Sequence, residues 1–210
     1  IEKENAFEEH EKSLLRKKAS KILRIPTERV RKIEIYRKSP DLRKKTEPCF
    51  IYTIDAEISG EVKQSKDFSV IIKKQDLYKE YIAEISQNAK TATKRPVVVG
   101  FGPAGIFTAL VMTELGFCPI LIERGEKVEN RMKSVEHFWQ KGQLNTESNI
   151  QFGEGGAGTF SDGKLNTGVN NPRIPWILEQ FVLAGADEEI LYDAKPHVGT
   201  DVLLHVVQHI

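Results

Sequence analysis

The spacing of apolar positions changes several times along these 210 residues, and each change marks an element. A helical pattern runs from Glu8 to Leu23, and Ile25-Pro26-Thr27 opens a turn. Val30 to Tyr36 then reads as a strand. Phe50 to Ile58 alternates between its two faces, as a half-buried strand does. Phe68 to Ile72 predicts a third strand, and Leu77 to Ile85 a second helix. After Pro96 the order becomes strand, helix, strand. Val97 to Val99 is a short apolar run, and Ala104 to Leu115 carries Ile106, Phe107, Ala109, Leu110, Val111 and Leu115 at helical spacing. Gly116 supplies the helix stop, and Pro119 to Glu123 is the next strand. Further on, Val128, Met132, Val135, Phe138 and Trp139 share one helical face. Residues 151–166 have no apolar period and predict a loop. Val202, Leu203, Val206, Val207 and Ile210 return to the helical pattern.

Charge separates the two halves. Residues 1–95 hold 23 Lys and Arg against 16 Asp and Glu, and residues 96–210 hold 8 against 14. The change at Lys94-Arg95-Pro96 follows the polar stretch Ser86 to Thr93, so the expected domains are 1–93 and 94–210. The first is read as a small, basic α+β domain of ferredoxin-like type, helices on an antiparallel sheet. Arg37, Lys38, Arg43, Lys44 and Lys45 are read as a basic loop between its strands, with Tyr36, Phe50 and Tyr52 as the aromatics that a nucleic acid would stack on. No RNP-like motif accompanies them. RNA is therefore the alternative partner, and an unidentified small-molecule substrate the expected one.

The chemistry lies in the second half. Gly100-Phe-Gly102-Pro103-Ala104-Gly105 follows the apolar strand directly and opens the helix, and Glu123 ends the next strand. This is G-x-G-x-x-G with an acid about twenty residues on, the fingerprint of a dinucleotide-binding βαβ unit. The first glycine permits the tight turn, the second lets backbone approach a pyrophosphate, and the third lets the helix pack on the strand. Free N–H groups at the helix start face the anion. An acid at Glu123 favours a ribose 2′-hydroxyl over a 2′-phosphate, hence FAD or NAD rather than NADP. The second domain is accordingly read as the beginning of a Rossmann-like, doubly wound α/β domain for FAD or NAD(P), left incomplete here.

A second glycine cluster favours FAD over NAD. Gln151 to Asn166 contains Gly153, Gly155, Gly156, Gly158 and Gly163. Successive N–H groups in such a loop form an anion-binding concavity. Ala157 lies among the glycines, and Thr159, Ser161 and Asn166 add short polar side chains. FAD extends a pyrophosphate, a ribitol and a ring away from the first site, and a NAD-only dehydrogenase has no use for a second loop of this kind.

Taken together, the Gly100–Gly105 turn, Glu123-Arg124, Gln151 to Asn166 and Asp193-Ala-Lys-Pro-His-Val-Gly-Thr-Asp201 resemble an uncharacterised family of bacterial FAD-dependent dehydrogenases. That family belongs to the glutathione-reductase-like flavoproteins with two dinucleotide folds. The resemblance is strongest over residues 95–205. It implies FAD binding and redox chemistry, with NAD(P)H as the candidate electron donor, and no particular substrate.

The remaining residues refine this picture. Arg124 and Arg131 are the cations nearest the expected cofactor, and Asp162 and Lys164 the charged groups expected to touch the flavin or its ribitol. His197, ahead of a helix start at Gly199-Thr200-Asp201 capped by Thr200 or Asp201, is a weaker candidate for facing the flavin. Trp139 is read as core. No acid or base is assigned to catalysis. Cys49 and Cys118 form no C-x-x-C pair, which disfavours a disulfide-type flavin reductase, and both are expected to be small buried residues of a reducing cytoplasm. The five histidines show no metal spacing backed by acids, so no metal site is expected. No apolar run is long enough to span a membrane, and no signal peptide is expected. A sheet this incomplete, with no initiator Met and an end inside a helical pattern, is expected to be the first part of a longer enzyme.

Overall fold

The computed structural model describes residues 2–44, 47–70, 78, 82, 85, 86, 94–165, 167–169, 171 and 173–210. It is a mixed α/β chain with two small sheets among the described residues, and it divides into two compact units. One comprises Ile1–Gln75 with Tyr192–Ala194, the other Asp76–Leu191 with Lys195–Ile210. The charge break at residues 94–96 thus falls inside the second unit.

In the first unit, helix α1 (Glu2–Leu23) packs on an antiparallel hairpin of β1 (Val30–Asp41) and β2 (Cys49–Ile58). Leu15, Ala19 and Leu23 recur every fourth residue, so one stripe of α1 meets Val30 and Ile33 on the sheet. The Ser20 hydroxyl donates to the Ile25 carbonyl at 2.9 Å and fixes the exit from the helix. Tyr192–Ala194 adds to the outer edge of β1. Lys38 N–H donates to the Tyr192 carbonyl at 2.8 Å, and Ala194 N–H to the Lys38 carbonyl at 3.0 Å. This support carries β1 through Pro40 to Asp41, five residues beyond the expected end, so Arg37 and Lys38 belong to a strand and not to a basic loop. Arg43 folds back onto the Asp41 carboxylate at 2.6 Å, and Lys45 lies outside the described residues. Tyr52 donates its hydroxyl to Glu11, and Lys38 lies 5.2 Å from the centre of the Phe50 ring. Of the expected third strand, residues 68–70 are described and only Phe68 makes a bridge, to Ser65. Residues 71 and 72 lie outside the description, as does most of the expected helix 77–85, of which Tyr78, Ile82 and Ile85 are helical.

The second unit opens with β3 (Val97–Val99), helix α2 (Pro103–Glu114) and β4 (Ile120–Ile122), and the strands pair in parallel, Val98 opposite Leu121. Gly116, with φ of 86°, reverses the chain after α2 as the sequence predicts. Helices α3 (Val128–Lys141), α4 (Arg173–Leu183) and α5 (Thr200–His209) follow. Ala184, Ala186, Ile190, Val198, Leu203 and Val206 form its apolar centre, with Leu178 and Phe181 of α4 packed on it. Phe107 of α2 meets Trp176 and Phe181 of α4 at ring distances of 6.0 and 5.7 Å. The Trp176 indole N–H and the Tyr78 hydroxyl share the Glu114 carboxylate, each at 3.0 Å. Among the described residues no helix is long and apolar enough to cross a membrane.

Two expectations about burial are corrected. Cys49 and Cys118 are exposed, one at the open start of β2 and the other in the turn before β4. Trp139 is 65% exposed, because α3 is rotated relative to its apolar pattern. Val128, Arg131 and Val135 form its buried stripe, with a charged residue in the position that the pattern assigns to Met132.

Candidate functional site

The two glycine clusters, some fifty residues apart in sequence, touch. Gly155 N–H donates to the Phe101 carbonyl at 2.7 Å. A Cβ on Gly156 would stand 3.0 Å from Gly102 Cα and 3.3 Å from Pro103 Cδ. Positive φ angles at Gly155 (81°) and Gly156 (65°) turn the loop into this approach, a conformation that costs other residues about 1 kcal/mol or more. Gly100 has φ of 96°, and its N–H donates to the Ile122 carbonyl at 2.7 Å, so the turn grows straight out of the sheet. Gly105 allows the closest contact: a Cβ there would lie 1.9 Å from the Gly100 carbonyl oxygen. Pro103 and Ala104 begin α2 and are exposed, leaving the first turn of the helix open.

Glu123 lies under this turn. Its Oε2 accepts the Phe101 N–H at 2.6 Å, and its Oε1 accepts the Gly125 N–H at 2.7 Å. Burial alone raises its pKa, but the backbone donors of Gly125, Phe101 and Arg124, with the charge of Arg131, outweigh burial and lower it. A carboxylate offers about four acceptor sites. The backbone N–H groups of Phe101, Gly125 and Arg124 take three, and one remains for a hydroxyl donor. A carboxyl held below its unfolded value stabilises the fold fully above that value, near 4.5, and loses the contribution as pH falls through the folded pKa. We therefore expect the melting temperature to fall more steeply below pH 4.5 in the native chain than in Glu123→Gln. Parallel pH profiles would mean that Glu123 carries no such stabilisation.

Arg131 occupies a different place from the one its sequence position suggests. Its side chain is 0% exposed. Nε donates to the Asn149 carbonyl at 2.8 Å, one terminal nitrogen to Ile150 at 2.8 Å, and the other to the Glu154 carbonyl at 2.6 Å and the Thr159 hydroxyl at 3.2 Å. Four of its five N–H donors are thus engaged by the segment 149–159. The Phe160 ring lies 4.8 Å away. Burial lowers the guanidinium pKa, with Glu123 and Glu154 opposing that shift. Arg131 is a buried clamp on the second loop.

The rest of the loop is held from both sides. Glu154 Oε2 accepts the Val128 N–H at 2.7 Å, capping α3 from a distance, and Ser148 accepts the Glu126 N–H at 3.2 Å. Asn145 and Asn149 each take backbone N–H groups two and three residues ahead. Neither asparagine, nor Ser148, nor Glu154 is singled out by the glycine pattern. The signal that carries them is the Asn-x-x-Ser-Asn run, in which short polar side chains fold the backbone on itself. Thr159 is buried, bonded to Arg131 and to the Glu154 carbonyl, and Ala157 and Gly158 lie in a 3₁₀ turn, Ala157–Phe160.

The outer candidates are less enclosed. Arg124 pairs with Glu147 at 3.1 Å and lies 5.4 Å from the Phe152 ring centre. Asp162 and Lys164 bind each other at 2.6 Å, both well exposed. Ser161 accepts the Gly163 N–H at 3.2 Å, and its carbonyl accepts the Thr200 hydroxyl at 2.8 Å. Thr200 therefore does not cap α5, which starts from Gly199 with no side-chain cap. His197 bridges to Lys164 through backbone and is exposed. Asn166 lies outside the described residues.

Residues 4–57 match a domain of unknown function, DUF8436. An uncharacterised protein of Clostridium beijerinckii is 44% identical over 202 residues, which is 94% of this chain. The chain spans 37% of that relative's length.

Proposed function

We propose that the second unit is the adenosine- and pyrophosphate-binding portion of an FAD-dependent oxidoreductase, built as the start of a doubly wound sheet. The observation that carries this reading is the Gly155-to-Phe101 hydrogen bond. It brings a second glycine loop against G-x-G-x-x-G, with an ionised Glu123 directly beneath. The donor set fits a dinucleotide. The open first turn of α2 offers N–H groups and a partial positive charge to phosphates. Glu123 retains an acceptor site for a ribose hydroxyl, and Arg124 has a planar, exposed cation for the adenine end. Bound FAD supplies hydride acceptance and donation, with NAD(P)H as the proposed donor. The chain's own contribution is position and electrostatics: Arg131 fixes the loop, Gly102 and Gly156 keep the approach free of side chains, and Asp162 and Lys164 offer charge at the loop's outer end.

The test is flavin content, read as visible absorbance and as FAD released on denaturation, in this chain and in the full-length Clostridium relative. Gly102→Val should lose the flavin, while Gly102→Ala, whose Cβ meets only Gly156 Cα at 3.9 Å, should leave the melting temperature little changed. A folded Gly102→Val protein with undiminished FAD, or a native protein that takes up none, would reject the reading.

A further inference from the structure

Residues 161–165 and 196–200 form a short, two-faced ribbon at the outer end of the second glycine loop. Leu165 N–H donates to the Pro196 carbonyl at 3.0 Å, and Val198 N–H to the Gly163 carbonyl at 2.9 Å. These bonds bracket Lys164 and His197, an antiparallel pair of the non-hydrogen-bonded kind, whose side chains rise from one face about 5 Å apart. Leu165 and Val198 belong to the other face and pack into the apolar centre of the unit. The charged face also carries Asp162, whose carboxylate binds the Lys164 ammonium at 2.6 Å. That hydrogen bond, and after it the charges of Lys164 and His197, lower the Asp162 pKa. The same bond raises the pKa of Lys164, which stays a cation. An ammonium has three donors, so two remain beside the one that Asp162 engages.

Three contacts order the loop along its course. A Cβ on Gly125, two residues after Glu123, would stand 2.7 Å from the Gly153 nitrogen, so Gly153 lies at the Glu123 end. Gly155 and Gly156 lie at the glycine turn, against Phe101 and Gly102. Helix α5 then spans the interval to the ribbon. A Cβ on Gly155 would meet Val207 at 2.8 Å, and Thr200, seven residues earlier in α5, binds the Ser161 carbonyl. Seven helical residues cover about 10 Å, so the ribbon starts about 10 Å along α5 from the glycine turn. Gly163, with φ of 73°, closes the ribbon onto the head of α5, since a Cβ there would stand 2.7 Å from the Gly199 nitrogen.

Resting on the flavin reading above, we propose that Lys164 and His197 hold a carboxylate of the substrate against the ring of the bound flavin. The order of the loop, Glu123 end, glycine turn, ribbon, follows the order of ribose, phosphates and ring in FAD. Two donor side chains on one ribbon suit an acceptor with two oxygens, and Asp162 fixes the ammonium without filling its other donors. The substrate class that follows is a small carboxylic acid.

Sulfite, itself an oxyanion, is the probe. Its sulfur lone pair forms a bond to flavin N5, the ring takes up the electron pair as an anion at N1, nothing leaves, and the visible band bleaches. In the FAD-loaded chain, Lys164→Ala and His197→Ala should each weaken sulfite binding, measured per bound flavin, at least about 10-fold. Lys141→Ala, at the end of α3, should leave it unchanged. Acetate should compete with sulfite in the native chain and lose that competition in Lys164→Ala, which separates recognition of an anion from an effect on the ring's potential alone. An FAD-loaded native chain that forms no adduct, unchanged sulfite affinity in both variants, or acetate that does not compete would overturn the proposal and leave the flavin reading standing. A chain that takes up no FAD rejects the flavin reading and this proposal with it.

Discussion

Replacing Arg131 with Ala should destabilise the second unit by at least about 3 kcal/mol, read as a shift of the urea midpoint at unchanged slope. The substitution removes a side chain with no exposed surface, takes the donor from the carbonyls of Asn149 and Ile150, and leaves the Glu154 carbonyl with the Thr159 hydroxyl alone. Each buried acceptor left unsatisfied costs about 1–3 kcal/mol. Water entering the vacated volume offsets part of this, which is why the expected loss is below the full sum. Arg131→Lys should recover little, because one ammonium cannot span acceptors that the planar fork reaches at once. A loss below about 1 kcal/mol for Arg131→Ala would mean that the loop holds its shape without the clamp.

Gly105→Ala should cost about 3 kcal/mol, with loss of any cofactor bound at the turn. The added Cβ would lie 1.9 Å from the Gly100 carbonyl oxygen and 2.9 Å from its carbon, and both are backbone. No side chain can rotate away to relieve the clash, so α2 must lift from the turn. Gly100→Ala is the informative contrast. Its Cβ would meet nothing within 4 Å, and its cost is confined to the positive φ of 96°, about 1–2 kcal/mol. If the two alanines prove equally mild, helix–strand approach is not what Gly105 provides.

The strand–helix–strand order around the glycines was legible because its signals are local. Apolar period, a Gly turn and a Gly stop each lie within a few residues of what they specify, and α2 and β4 begin and end within about a residue of their expected limits. The contact between the glycine loops was not legible, although each loop was, because no local pattern records which backbone a loop will meet. Arg131 shows the same limit more sharply. A charged residue in an amphipathic helix reads as solvated, and its burial depends on carbonyls 18 to 23 residues away, arranged by asparagine turns. The extension of β1 to Asp41 depends on Tyr192–Ala194, more than 150 residues later. Trp139 and the two cysteines were misplaced because residue type states a preference for burial and not the rotation of a particular helix.

Composition would class Asn145 to Gly158 as a tether: short polar side chains, four glycines and little that is apolar. Its bonding makes it the opposite. Glu154 holds both ends of the first turn of α3, Val128 through its carboxylate and Arg131 through its carbonyl, so the loop and the head of the helix open together. The segment and the helix form one cooperative unit of opening, and their amide protons should exchange on a common timescale. At Gly153 and Gly155, both buried, a protease that reads sequence for a flexible, glycine-rich cleavage site meets a backbone held in place on both sides.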